Sequence, residues 1–347
     1  MRESSILLGL STVVVAVLCV YMSIWQGKGS SLLVQVNERL ESLVFYVYLV
    51  PVSVLDLSGS VLVCLRLRTV GDPDRKRSWL ETLLSCTLMQ FGGTTLTGLL
   101  LGQTPSWILS HNAFPALLLA WWLTFYCPGD VYFSSFTKSG LAKTVFLPVV
   151  TLLSAVSSGH AVTSWGMDKA LSNAYHKNAE RIAQSALTCI LAGTFSACGG
   201  GILSDCLSML QTPSYVWRPP TMLQDSKEGY AAARAITKSF FLATLYYLLR
   251  LPTSSSTQAL LPLPSLSAPL ARLVVALLQL QSATVVLAHG DDPQYANLSW
   301  LLRSIVLNPG GNSDSDSRQD DSNPNSGNEK PTRDSRDRSR SRGVKRN

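Results

Sequence analysis

The sequence predicts an all-α polytopic membrane protein. Seven core transmembrane helices form an inverted 3+3 repeat plus one, with an extra apolar segment at the N-terminus. Composition is the first observation: of 347 residues, 46% are hydrophobic and only 15% charged, where soluble proteins carry about 25% charge. The second is layout. Uncharged runs of about 20 residues, long enough to cross hydrocarbon as helices, alternate with short basic segments. The ten-residue alternating strands of a membrane barrel are missing. The third is an internal echo. Phe91-Gly92-Gly93-Thr94-Thr95-Leu96-Thr97 and Cys198-Gly199-Gly200-Gly201-Ile202-Leu203-Ser204-Asp205 both lead into Gln-Thr-Pro-Ser. Gly92 and Gly199 stand 107 positions apart, and Gln103 and Gln211 stand 108 apart, which marks a duplication.

Taken in order, residues 1–26 hold an apolar run, Ile6 to Trp25, behind Arg2 and Glu3. It reads as a signal peptide or a signal anchor. The first three-helix repeat covers 43–126, with spans at about 43–65, 79–101 and 107–126. Asp56 lies deep in the first span, about 20 Å along the helix from Leu43. The next loop carries Arg66, Arg68, Arg75, Lys76 and Arg77 and faces the cytoplasm by the positive-inside rule. The uncharged loop 103–106 faces the other side. Trp121-Trp122 suits the membrane interface, and Pro128-Gly129 stops the helix.

The second repeat covers 141–250, with spans at about 141–165, 182–210 and 231–249, and a seventh helix follows at 270–288. Three spans cross an odd number of times, so the second copy begins on the opposite face. The copies are therefore inverted, and an ion path belongs at their interface. Residues 308–347 form a disordered basic cytosolic tail with almost nothing to bury. Its last fifteen residues set seven Arg or Lys against Asp334 and Asp337. The formal charge of +7 thus describes loops and tail rather than a nucleic-acid-binding face. Asn297-Leu298-Ser299 is a glycosylation sequon, usable only if lumenal.

Ionisable and hydroxyl groups inside spans are costly, and each is a functional candidate. Asp56 either lines a wet cavity or pairs with a buried cation. Asp205 stands about one turn past the triple glycine, at the mouth of a cation path or at a solvated span end. Gly92, Gly93 and Gly199–Gly201 either bend their helices and expose carbonyls, or serve tight helix packing alone. Beside them Thr94, Thr95, Thr97 and Ser204 offer hydroxyl oxygens that partly replace a monovalent cation's water shell. Lys238 and Arg272 are expected to snorkel to their span ends. His160 on a Ser/Gly-rich helix reads as packed or hydrogen-bonded.

Enzyme signatures are absent: no His-Glu-x-x-His, no Gly-x-Ser-x-Gly, no Walker loop and no dinucleotide fingerprint. No enzyme, metal site or cofactor is expected from the residues. Seven cysteines without a Cys-x-x-Cys pair read as small hydrophobes, and four scattered histidines make no metal set.

Several blocks resemble one family. They are Ser78-Trp79, Phe91-Gly92-Gly93, Trp122 to Asp130, Leu147-Pro148-Val149, Asn173 to Asn178, and Gly199-Gly200. Together they resemble the trimeric intracellular cation channels, the TRIC family, over roughly residues 45–290. The resemblance implies a homotrimer in the endoplasmic or sarcoplasmic reticulum membrane, with a pore through each subunit. That pore passes the glycine-rich second and fifth helices and conducts potassium as counter-ion to calcium release. Members carry a Lys-Glu-Val run and a following Arg on the fourth helix, associated with voltage response and phosphoinositide binding. Aligned without gaps, those positions here are Ser157-Ser158-Gly159 and Ala161, and the following glycine pair is Met167-Asp168. Ser196 stands where members often place Arg, while Arg234 matches a family Lys. Lys143, His160, Arg234 and Lys238 are then the candidates for lipid- or voltage-linked roles. A phosphoinositide is the one bound group implied, on a fourth helix without the family's basic residues.

These readings predict a monovalent cation channel, with potassium ions, membrane lipids and two further copies of itself as partners and no nucleic acid. Its rivals are a non-conducting scaffold of the same fold and an alternating-access transporter.

Overall fold

A computed structural model describes residues 28–74, 76–137, 140, 142–172, 179–211, 215–221, 227–250 and 265–289. The N-terminal apolar segment at 1–26, the sequon at Asn297 and the tail at 308–347 lie outside these residues. The described part is mostly helical. Helix α1 (Lys28–Glu41) precedes a two-stranded antiparallel hairpin, β1 (Val44–Val47) and β2 (Val50–Ser53), in which Val44 pairs with Ser53 and Val47 with Val50. Helix α2 (Val54–Arg66) follows at once and ends in a wider turn, Leu67–Gly71.

This hairpin corrects the first expected span at 43–65. Val44-Phe45-Tyr46-Val47 is β-branched and aromatic, and Pro51 has no N–H to give a helix. Ser53 then starts the helix late, its hydroxyl accepting from the Asp56 N–H at 3.3 Å. Asp56 consequently sits in the first turn of α2 rather than deep within a long span.

Helix α3 (Trp79–Leu101) is bounded by clear signals. The Ser78 hydroxyl accepts from the Glu81 N–H at 3.2 Å. At the other end Gly102 adopts the left-handed conformation (φ 62°), and Gln103 N–H donates to Gly98 at 2.8 Å. Helix α4 (Ala113–Phe125) is shorter than the span expected at 107–126, because the polar Ser110-His111-Asn112 turn interrupts it. Helix α5 (Val131–Thr137) begins beyond Gly129, whose φ of 67° turns the chain.

Helix α6 (Leu147–Val162) is extended by wide turns at both ends, giving an apolar stretch over Lys143–Leu171. Helix α7 (Ala186–Cys206) starts at Ser185, whose hydroxyl accepts from the Thr188 N–H at 3.3 Å. Helices α8 (Lys227–Arg250) and α9 (Ala268–His289) complete the described chain. Among the described residues four helices, α3, extended α6, α7 and α9, are long and apolar enough to cross a membrane. The 13-residue helices α2 and α4 each span about 20 Å, short of the hydrocarbon thickness of about 30 Å.

Two apolar cores organise the packing. One lies among α2, α3 and α4 around Val61, Cys64, Cys86, Phe91, Leu117 and Phe125. The other lies among α6 to α9 around Val162, Ala192, Leu242, Tyr246, Val274 and Val275. Helices α3 and α7, the two glycine-bearing helices, make the most extensive helix pair. Cysteines 64, 86, 189, 198 and 206 are buried as small hydrophobes, and the Cys64 and Cys86 thiols lie 3.5 Å apart. Leu84, Leu99 and Leu187 are exposed on α3 and α7, where hydrocarbon would exact no penalty.

Candidate functional site

The α3–α7 crossing is built from glycine. A Cβ on Gly199 would lie 2.8 Å from the Gly93 Cα, and one on Gly92 would lie 3.1 Å from the Gly200 Cα. A Cβ on Gly93 would run into the Ser196 and Phe195 carbonyls, and one on Gly200 into the Met89 carbonyl. Backbone therefore packs on backbone, as small residues permit between membrane helices. Both helices continue unbroken through their glycines. The bent, hydrated seam expected at this crossing is thus closed, and the four glycines fill the packing role. Gly201 differs: nothing lies within 4 Å of the place its Cβ would take.

Beside the crossing lies a cavity of about 640 Å³ among α2, α3, α6 and α7. Helix α2 contributes Asp56 and Gly59, α3 contributes Gln90 and Thr94, and α7 contributes Ser196. On α6 the wall is Ser154, Ser157, Ser158, Ala161 and Trp165. Their spacing of three and four residues puts them on one helical face. Gly59 leaves room for Gln90, whose amide nitrogen lies 2.8 Å from where a Gly59 Cβ would be. The end of α1 adds Glu41, held in place by the Ser164 hydroxyl, which donates to Oε1 at 2.9 Å. Glu41 Oε2 also stands 3.4 Å from His160 Nδ1.

Two carboxylates and a ring of hydroxyls thus face one space, with no Lys or Arg among the described residues lining it. Asp56 is 9% exposed and forms no ion pair among the described residues. Ser196 is 6% exposed, and its hydroxyl oxygen, closed to solvent, has no hydrogen-bond partner among the described residues. Aromatic walls come from Phe91 and Trp107, stacked at 5.3 Å between ring centres, and from Trp165. Trp107 is fixed by donating to Thr95 Oγ1 at 3.0 Å. Among the described residues no three His, Cys, Asp or Glu side chains come together as a metal site.

Of the polar candidates, Asp56 and Thr94 share this cavity, and three do not. Thr97 is buried and donates to the Ala192 carbonyl at 3.1 Å, which ties α3 to α7. Ser204 is buried outside the cavity wall. Asp205 accepts from both the Thr221 N–H and, at 2.9 Å, the Thr221 hydroxyl. It therefore anchors residues 215–221 to the end of α7 rather than opening onto the cavity.

Among the lipid- or voltage-linked candidates, Lys143 is exposed and Arg234 half-buried. Two side chains expected at the span ends turn inward, because partners wait there. Lys238 donates to Ser282 at 2.6 Å, and Arg272 pairs with Asp168 at 2.7 Å. His160 is 1% exposed, out of reach of a lipid headgroup.

Sequence reasoning missed Glu41, Gln90 and the role of the α6 serines. The stripe at 154, 157, 158, 161 and 165 was the available signal. Glu41 had none, since its place depends on how α1 docks.

Comparison with known proteins follows the same lines. The chain is 30% identical over 146 residues to a trimeric intracellular cation channel type B of Danio rerio, and 28% over 143 residues to that of Xenopus tropicalis. Each match covers 41% of this chain and spans 43% of the relative's length. A trimeric intracellular cation channel from C. elegans, solved in the absence of Ca2+, aligns at 22% identity. It has a TM-score of 0.49, covering 74% of this chain and 97% of that one. The family model described as TRIC channel matches residues 74–259, from the loop before α3 to beyond α8 and more than half of the sequence. The chain is a multi-pass membrane protein that belongs to the TRIC channel family.

Proposed function

We propose that this protein conducts monovalent cations, potassium foremost, across an intracellular membrane. The reticulum membrane, a homotrimeric assembly and a counter-ion role in calcium release belong to the same reading. Its support is the cavity: Asp56 and Glu41 on one space, with no basic side chain among the described residues of its wall. Carboxylates there favour cations over anions, and the hydroxyls of Thr94, Ser157 and Ser158 replace part of a water shell without gripping the ion. The relatives' name, trimeric intracellular cation channel, points the same way. The inverted repeat is proposed with it, α3 and α7 being its paired helices.

One observation favours a second reading. The glycine crossing is closed backbone to backbone, as it would be in a scaffold that kept the fold and lost the pore. Recording from the purified full-length protein in planar bilayers separates the two. Unitary potassium currents that fall several-fold in Asp56→Asn support conduction through this cavity. Silence supports the scaffold, and saturable carrier flux supports a transporter. Currents unchanged in both Asp56→Asn and Glu41→Gln would place the path elsewhere.

A further inference from the structure

We infer that the same cavity is a binding site for an organic ammonium ion, a ligand class distinct from the small inorganic ions a channel passes. Size is the first reason. At about 640 Å³ the space falls within the range of small-molecule pockets, roughly 300–1,000 Å³, and far exceeds a bare alkali ion. Charge is the second. Asp56 from α2 and Glu41 from α1 both face it, and no Lys or Arg among the described residues lines it.

The walls are the third reason. Phe91, Trp107 and Trp165 bring aromatic rings to an anionic space, and ring faces attract alkylammonium groups that a purely hydroxylated vestibule would leave in water. The fourth is the state of Asp56, which is buried and has no ion pair among the described residues. A buried carboxylate without a counter-charge is served by a cation that carries apolar bulk against the rings.

The site does not depend on conduction, because binding needs only the cavity. The test uses the full-length protein in detergent, titrated calorimetrically with tetraethylammonium chloride against a matched potassium chloride blank. Saturable binding is expected, weakened at least tenfold in Asp56→Asn and at least threefold in Glu41→Gln. Asp205→Asn, outside the cavity, should bind as the unaltered protein does. If Asp56→Asn does not yield folded protein, Glu41→Gln carries the test, since that side chain is partly exposed at the end of α1. No saturable binding, or binding of equal strength in the carboxylate variants, overturns the inference. Potassium current without tetraethylammonium binding overturns this inference alone. Binding without current overturns the conduction reading alone.

Discussion

Gly93 of α3 and Gly199 of α7 meet backbone to backbone, with a Gly199 Cβ brought to 2.8 Å of the Gly93 Cα. Gly200, one position on, faces the Met89 carbonyl more closely still, whereas Gly201 faces open space. The triple glycine therefore divides into positions that require the absence of a side chain and one that does not. Gly200→Ala should lose about 1–3 kcal/mol by overpacking against backbone. Gly201→Ala should gain up to about 1 kcal/mol from helix propensity. Thermal unfolding of the two variants in detergent checks this, with the melting temperature moving in opposite directions. A shift in the same direction for both would refute the division.

Asp205 offers a test that separates position from charge. It lies one turn past the glycines, yet its carboxylate is taken up by Thr221. Asp205→Asn should leave cation conductance unchanged. Asp205→Ala should strip the Thr221 donors of their acceptor, at a cost of about 1.5–3 kcal/mol for hydrogen bonds to a charged group. Single-channel recording and thermal unfolding read the two effects separately.

The half-buried polar node on extended α6, α8 and α9 makes a ranked prediction. Asp168 accepts from Arg272 Nε at 2.8 Å and from the Tyr246 hydroxyl at 2.8 Å. Removing the cation leaves a carboxylate without its counter-charge, so Arg272→Ala should cost up to about 3 kcal/mol, since neither partner is fully enclosed. Tyr246→Phe removes one hydrogen bond and should cost about 1.5 kcal/mol. The double variant Asp168→Asn/Arg272→Met should recover part of the loss, because it leaves no unpaired charge. Unfolding midpoints of the three variants should fall in that order.

How much of this was legible follows from where each signal is stored. The spans of α3 and α7 are written in unbroken apolar runs, and their crossing in glycines that lack any side chain to fit. Both are local properties. The region 43–66 is largely apolar too, and run length alone cannot tell a hairpin plus a short helix from one long span. The distinguishing marks were Pro51 and the Ser53-x-x-Asp56 cap, two residues whose backbone preferences outweigh hydropathy. The cavity was half legible. The serines at 154, 157 and 158 share a helical face on the page. Glu41 joins them only through tertiary docking, more than a hundred residues away in sequence.

The last prediction concerns the loop that the positive-inside rule treats as mere charge. Arg68 is buried, and its guanidinium does three things at once. It donates to the Thr124 carbonyl, pairs with Asp130 Oδ2 at 2.7 Å, and lies 3.8 Å over the Phe133 ring. A planar fork that donates in two directions while stacking has no counterpart in lysine. Arg68→Lys should therefore destabilise the packing of α2 against the α4–α5 turn by about 1–3 kcal/mol, although charge is conserved. Asp130→Asn should cost less, because Asp130 is 39% exposed and solvent screens the pair. Thermal unfolding of the two variants orders them, and proteolysis at the α4–α5 turn should speed up in Arg68→Lys. Equal stability of Arg68→Lys and the unaltered protein would show that Arg68 acts as a topology charge alone.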